Sequence, residues 1–427
     1  MANIRPFKGV VYNEKKVGCL SEVVAPPYDI IPKEMQGKLY RASPYNIVRL
    51  ELGKIRSSDS SVDNRYTRAK IFFDLWLKNK QMVQDRKDSI YIYSQKYREG
   101  RKVIDRIGFI ALMSLDEGKK KVLPHEKTLL APKLDRLDLI RSIRANLSPI
   151  FVLYDDTPHI ILKILKKTSS TKRPFIDISF EGIRNRAWRL TTETDIKKIQ
   201  AVMRDASTFI ADGHHRFEVT RMYSEELKRS RAPEAIKKSA GYVMVYFVES
   251  KEDMLTVLPA HRLPKDIGGL RKEEIIARLQ KFFTLERAGS LGAMMAKLGG
   301  SRKRIHAFGM YTGPNQFYIL KLKSMSHVDR AVKDKPKEWR RLDVAILHLF
   351  IFQHVLGIRD DDDNIEFMKD PRETAKSVDK GKFKIAFFLN PTKVAEVKRI
   401  ASLGEKMPRK ATYFYPKPVS GIVINKH

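Results

Sequence analysis

"IADGHHRFEV", residues 210–219, sets an acid, a glycine, two adjacent histidines and an arginine between an apolar run and an amphipathic one. The preceding "STFIA" reads as a short strand. The following "HHRFEVTRMYSEELKRS" reads as a helix with Phe217, Thr220, Tyr223 and Leu227 along one stripe. The motif therefore falls on a strand-to-helix turn. Gly213 can adopt the positive φ of a tight turn, and the helix that starts there has first-turn N–H groups without a carbonyl one turn below. Such a place attracts anions, because the helix dipole adds about half a positive charge and an arginine can grip a phosphate with two parallel hydrogen bonds. On this reading Asp212, Gly213, His214, His215 and Arg216 form a phosphate cradle, with the histidines able to donate or to exchange protons. Two other readings stay open. Asp212 can simply cap the helix while the histidines bond structurally. Alternatively, Asp212, His214 and His215 can join His125 on a metal, although adjacent helical histidines diverge by about 100° and no HExxH or cysteine set is present.

Outward from this turn the chain mixes α and β patterns. "SIYIYSQKY" and "RKVIDRIGFIALMSL" flank Glu99-Gly100 as a hairpin, which predicts an antiparallel component. "KLDRLDLIRSIRANL" carries Leu134, Leu137, Ile140, Ile143 and Leu147 at helical spacing, "SPIFVLYD" reads as a buried strand, and "TETDIKKIQAVMRDA" as a helix. Polarity rises over residues 230–241, which predicts a domain boundary near 235 and thus domains 1–235 and 236–427. The second part supplies the strand "YVMVYFVES", the buried helix "DVAILHLFIFQHVLGI", "KFKIAFFLNP", "TKVAEVKRIASLG" and a tail, "MPRKATYFYPKPVSGIVI", too apolar to be loose.

The 427 residues and 42% hydrophobic content suit a soluble globular protein with a sizeable core. Cys19, the single cysteine, excludes an internal disulfide and any multi-cysteine zinc site. No apolar run reaches eighteen residues and the N-terminus has no long apolar h-region, so neither a membrane span nor a signal peptide is expected, and the setting read is cytoplasmic. The net charge of +33 would attract any polyanion. Its longest unbroken basic run is only Lys119, Lys120 and Lys121, so a nucleic-acid surface is the less favoured reading beside a solvated basic exterior or small anionic ligands.

Three further clusters stand out. "PHEKT" (124–128) brings His125, Glu126 and Lys127 into one loop, either as proton-transfer and charge-screening groups or as a solvated turn. "APPYD" (25–29) is a rigid diproline turn that would present Tyr28 and Asp29, and a purely structural turn is the favoured reading, because Pro-Pro needs no function to explain it. "DDDD" (360–363) lacks the spaced oxygens and glycine of a calcium loop and reads as a solvated loop.

In this order, "VAPPYDII", "SPYNIVRLELG", "HEKT", "LSPIFVLY", "IADGHHR" and "MPRKATYFYPK" resemble the bacterial and archaeal domain-of-unknown-function 1015 proteins, nearly end to end. The DGHHR element is in turn similar to the phosphate loop of the ParB/sulfiredoxin superfamily, whose members include CTP- and DNA-binding partition proteins, ATP-using sulfiredoxins and an ADP-dependent free-serine kinase. The resemblance implies an α+β fold, with a ParB/sulfiredoxin-like N-terminal domain on a mixed sheet and a C-terminal α/β domain. Gly213 matches the superfamily's turn and Arg216 its phosphate-binding arginine. His214 stands where sulfiredoxin has its cysteine, which excludes that chemistry, and no helix-turn-helix follows, which weakens the DNA reading.

The function expected is a phosphotransferase of the free-serine kinase type, moving a phosphate from ATP or ADP with Mg²⁺ to a small hydroxylated metabolite, in serine metabolism. Phosphoryl transfer needs charge neutralisation and alignment more than covalent chemistry. Gly213 to Arg216 would hold the phosphates, Glu126 or Asp29 would take the hydroxyl proton and Lys127 would screen developing charge. Asp212 would hold Mg²⁺ or orient His215. The alternative is a non-catalytic, nucleotide-gated binding protein of ParB type that could engage nucleic acid. A phosphatase or nuclease on the same anion site comes third. "PHEKT" and "DGHHR" are expected on opposite walls of one cleft.

Overall fold

The computed structural model describes residues 2–118, 122–123, 130–301, 305–361, 364–408 and 410–427. The chain divides into two compact units, the first built from 1–124, 128–256 and 416–427 and the second chiefly from 257–415. The division falls after Thr256 rather than near 235. The polar stretch 230–241 is crossed by the short helix Glu234–Ala240, and the apolar strand beyond it pairs inside the first unit's sheet.

That sheet contains, in chain order, β1 (Ile4–Arg5), β2 (Ile90–Glu99), β3 (Lys102–Ser114), β4 (Val122–Leu123), β5 (Ile150–Tyr154), β6 (Ile176–Phe180), β7 (Ile183–Leu190), β8 (Thr208–Asp212) and β9 (Tyr242–Glu249). Their lateral order is β4-β8-β5-β9-β3-β2-β7-β6, with β1 beside β3. The β8–β4 and β9–β5 pairs are parallel and the others antiparallel, so the sheet is mixed, as expected. Gly100, at φ 57°, turns the expected β2–β3 hairpin. All five residues of β5 are buried and seven of the eight in β9, which explains their unbroken apolar sequence: each lies between two strands and is covered on both faces.

Six helices matter for this unit: α1 (Lys33–Ala42), α2 (Arg65–Lys78), α3 (Leu130–Ile143), α4 (Ile160–Thr171), α5 (Glu193–Asp205) and α6 (His214–Arg229). The α6 stripe is confirmed, with Phe217, Thr220 and Tyr223 buried. Val219 and Tyr223 pack on Leu137 and Ile140 of α3, whereas Leu134 is exposed.

The second unit holds a sheet of β10 (His261–Pro264), β11 (Phe283–Ala288), β12 (Ala307–Tyr311), β13 (Phe317–Leu322), β14 (Ile365–Met368) and β15 (Ala386–Phe388), in the order β11-β13-β12-β15-β10-β14. Every pair is antiparallel, so the unit is α+β and not the expected α/β. Alternate residues feed two cores. Phe308, Met310 and Leu320 face one side with the long apolar helix, while Ala307, Tyr311 and Ile319 face the other with Met294 and Leu298. The long helix is buried as expected, but from Ile346 to Leu356 it is a π-helix.

Candidate functional site

The turn between β8 and α6 is built by two backbone devices. β8 pairs Ile210 with Val152 and then Asp212 with Phe151, leaving Ala211 as a bulge that re-aims the residue after it. Gly213 then takes φ 92°, and a Cβ there would stand 3.0–3.1 Å from the guanidinium of Arg216. Glycine is required twice, for the left-handed backbone and for the arginine that folds back over it. Gly213 is itself the N-cap, so Asp212 does not cap α6, contrary to the simplest reading of the sequence.

Asp212 is instead the centre of an ion chain. Its Oδ2 accepts from Arg216 Nη2 at 2.6 Å, and its Oδ1 lies 2.7 Å from Lys417 Nζ. Lys417 also donates to Asp29 Oδ2. Arg216 Nη1 donates to the Pro149 carbonyl at 2.6 Å and to Ser148 Oγ at 3.1 Å, and that hydroxyl donates to Glu51 Oε1 at 2.7 Å. Arg216 is thus committed inside the protein through three N–H groups, and its fork holds Asp212 and the β5 entry rather than standing open for a phosphate. Arg136 closes the cluster, donating to the Glu51 carbonyl at 2.6 Å with its guanidinium 4.1 Å over the Tyr28 ring.

The charges are fixed by one another. Burial alone would raise the Asp212 carboxyl, but Lys417 and Arg216 overcome it and hold the acid well below the usual carboxylate range. Burial would lower the Lys417 ammonium, yet Asp212 and Asp29 push it above its ordinary value. Lys417 is therefore a permanent cation at neutral pH and no base. Burial pushes the Tyr28 hydroxyl up to about 12, which keeps it a neutral donor.

Asp29 is the exposed member of the chain, its side chain 36% accessible against 6% for Lys417. Its turn is tied to the C-terminal tail by reciprocal Ala25–Ser420 backbone bonds, and Asn46 Nδ2 donates to the Val24 carbonyl at 3.0 Å. The tail is buried from Pro416 to Asn425, as its apolar sequence predicts. Of the two histidines, His214 is 5% exposed and His215 only half-buried.

Asp212 does not fit the expected Mg²⁺ ligand, because each of its oxygens is already held by a cation; among the described residues no group of three or more His, Cys, Asp or Glu is arranged for a metal. His125, Glu126 and Lys127 lie outside the described residues, and with them the expectation that "PHEKT" faces "DGHHR" across a cleft.

Glu51, Ser148 and Lys417 were missed as site residues. The signal for them is present, since each sits in a stretch that carries the family resemblance: "SPYNIVRLELG", "LSPIFVLY" and the closing "PK". With "VAPPYDII" and "IADGHHR", five of the six stretches converge on this one cluster.

Fold and site together define a mixed α/β protein of several sheets whose first unit carries a buried ion chain at a strand-to-helix turn. The chain belongs to the family described as "Protein of unknown function (DUF1015)", whose model matches residues 4–345. No curated protein matches the sequence. Among solved structures it is similar to free serine kinase in complex with AMP, at 14% identity over 71% of this chain and 86% of that one, TM-score 0.34. It is also similar to a mutant of that kinase in complex with ADP, at 13% identity over 71% and 87%, TM-score 0.35. A conserved hypothetical protein from Pyrococcus furiosus is similar at 12% identity over 71% and 90%, TM-score 0.34. Among the described residues no helix is long and apolar enough to cross a membrane.

Proposed function

We propose that the first unit is a phosphotransferase of the free-serine kinase type, moving the terminal phosphate of ATP or ADP to the hydroxyl of a small metabolite. One observation carries the reading: an exposed carboxylate, Asp29, is held by a buried permanent ammonium, Lys417, beside the N-terminus of α6. In the reaction the acceptor oxygen forms its bond to phosphorus as the bond to the nucleotide's bridging oxygen breaks. Asp29 takes the hydroxyl proton, and the nucleotide leaves with the electron pair. The first turn of α6 and His215 receive the phosphate. Lys417 orients Asp29, while Arg216 and Asp212 act through it as positioning residues. Of the two proton acceptors that the sequence offers, Glu126 and Asp29, the reading takes Asp29, which lies among the described residues.

The test is incubation of the purified chain with ATP or ADP, Mg²⁺ and a panel of small alcohols, serine first, followed by phosphorus NMR. Asp29→Asn should lower turnover by about 10²- to 10⁴-fold, the range of a lost general base, and leave nucleotide binding within a few-fold. Nucleotide binding without transfer to any acceptor would leave a binding protein. Failure to bind at millimolar nucleotide would remove the reading altogether.

A further inference from the structure

The second unit contains a built cavity unrelated to the ion chain. It measures about 330 Å³, within the range of small-molecule sites, and Trp339, His348, Leu349, Asp360, Phe367 and Met407 line it. Behind it runs a buried polar relay. Arg262, 1% exposed, donates from Nε to His348 Nε2 at 3.0 Å. Arginine has no acceptor, so Nε2 must be the accepting nitrogen and the proton sits on Nδ1, which donates to Asp360 Oδ1. Both imidazole nitrogens are thereby used, and His348 orients Asp360 without itself reaching a ligand. The second oxygen of Asp360 has no hydrogen-bond partner among the described residues, and the side chain is 19% exposed.

The walls suit a flat cation. Phe367 lies parallel to the His348 ring, with centroids 6.4 Å apart and an interplanar angle of 14°. The Trp339 indole is locked by its N–H on the Lys406 carbonyl at 2.8 Å. At the margin, Asp334 and Asp361 join Asp360 against Lys335 and Lys406, and Lys335 is already paired with Glu405 at 3.2 Å. In a chain of net charge +33, the described residues that line this cavity hold three carboxylates against two lysines.

Two features mark the site as more than packing. His348 and Leu349 lie in the π-helix, a form that recurs in short pieces at functional sites. Lys410, whose carbonyl accepts from Arg262 Nη2 at 3.0 Å, is a non-glycine residue held at φ 51°. We propose that this cavity binds a small aromatic or amidine-type cation, its N–H donors on Asp360 and its flat body against Trp339 and Phe367. The described lining residues include no serine, threonine, tyrosine or cysteine, and the role proposed is recognition.

Calorimetry on the full chain with benzamidine, benzamide and benzoate, three probes of one shape and different charge, tests this. Benzamidine should bind with Kd on the order of 1 mM, as expected for a fragment. Benzamide should bind at least tenfold more weakly, and benzoate not at all. Asp360→Asn should weaken benzamidine at least tenfold, and Lys406→Glu, at the exposed rim, should tighten it about two- to fivefold at low salt. Benzoate binding as well as benzamidine, no benzamidine binding at 10 mM, or no tightening in Lys406→Glu would each overturn the proposal. Acetyl-arginine-amide distinguishes the sources of the cation: tighter binding than benzamidine would overturn a free aromatic ligand in favour of a protein side chain.

Discussion

At the scale of single residues, the ion chain makes Lys417 a more sensitive position than any member of the DGHHR turn. Lys417→Met removes the ammonium that Asp212 and Asp29 share, in a site where the Asp212 side chain is only 17% exposed. Removing one partner of a buried pair costs about 3–5 kcal/mol, mostly from the charge left behind. We expect a loss of that order in urea unfolding, and partial recovery in the double variant Lys417→Met/Asp212→Asn, which removes both charges. A double variant as unstable as the single one would show that packing, not charge, is at stake. Gly213→Ala should cost about 1–2 kcal/mol, since alanine at φ 92° is strained and its Cβ would press on the Arg216 guanidinium. Glycine at position 213 was legible in the sequence; the reason that combines the turn with the returning arginine was not.

Elements were read more reliably than their partners. The β2–β3 hairpin, β5, β8, α5 and α6 stand where periodicity and turn residues placed them, because each is specified by its own local pattern. Contacts that join distant elements left no such trace. Gly108 in β3 is an example: a Cβ there would lie 2.2 Å from the Phe247 carbonyl of β9. Backbone cannot yield as a side chain can, so Gly108→Ala should cost at least about 3 kcal/mol by forcing the central strands apart. Stability within about 1 kcal/mol of the parent would mean that the sheet relaxes locally. The "DDDD" run shows the same limit. Asp360 was read as solvated, yet it accepts from a buried histidine twelve residues earlier, a pairing that depends on the π-helix and the turn after it.

At the scale of the whole molecule, buried histidines in the second unit set a pH dependence. Burial lowers His261 to about 3, with Arg262 adding to the effect, and burial likewise lowers His348 against the pull of Asp360. A histidine whose folded pKa lies below its unfolded value of about 6.5 lets the unfolded chain take the proton first. Stability is therefore full above that value and is lost as pH falls from it toward the folded pKa. The second unit should lose up to about 1.4 kcal/mol per pH unit per histidine between roughly pH 6 and 4, and His261→Gln should flatten the slope by about one proton. Unfolding midpoints that do not move between pH 7 and 4.5 would refute this.

The sequence by itself determined the β2–β3 hairpin, β5, β8, α5 and α6, and that a glycine turn with acid, histidines and arginine opens a helix. These follow from local rules of periodicity, turn chemistry and helix ends, which act over a few residues. Tertiary structure alone decided that β9 belongs to the first unit, that the last twelve residues return to it, and that Lys417 lies between Asp29 and Asp212. The physical reason is range. A buried ammonium finds its carboxylates by the desolvation that folding imposes, 388 and 205 positions away along the chain, and no pattern within a window of residues records that partnership.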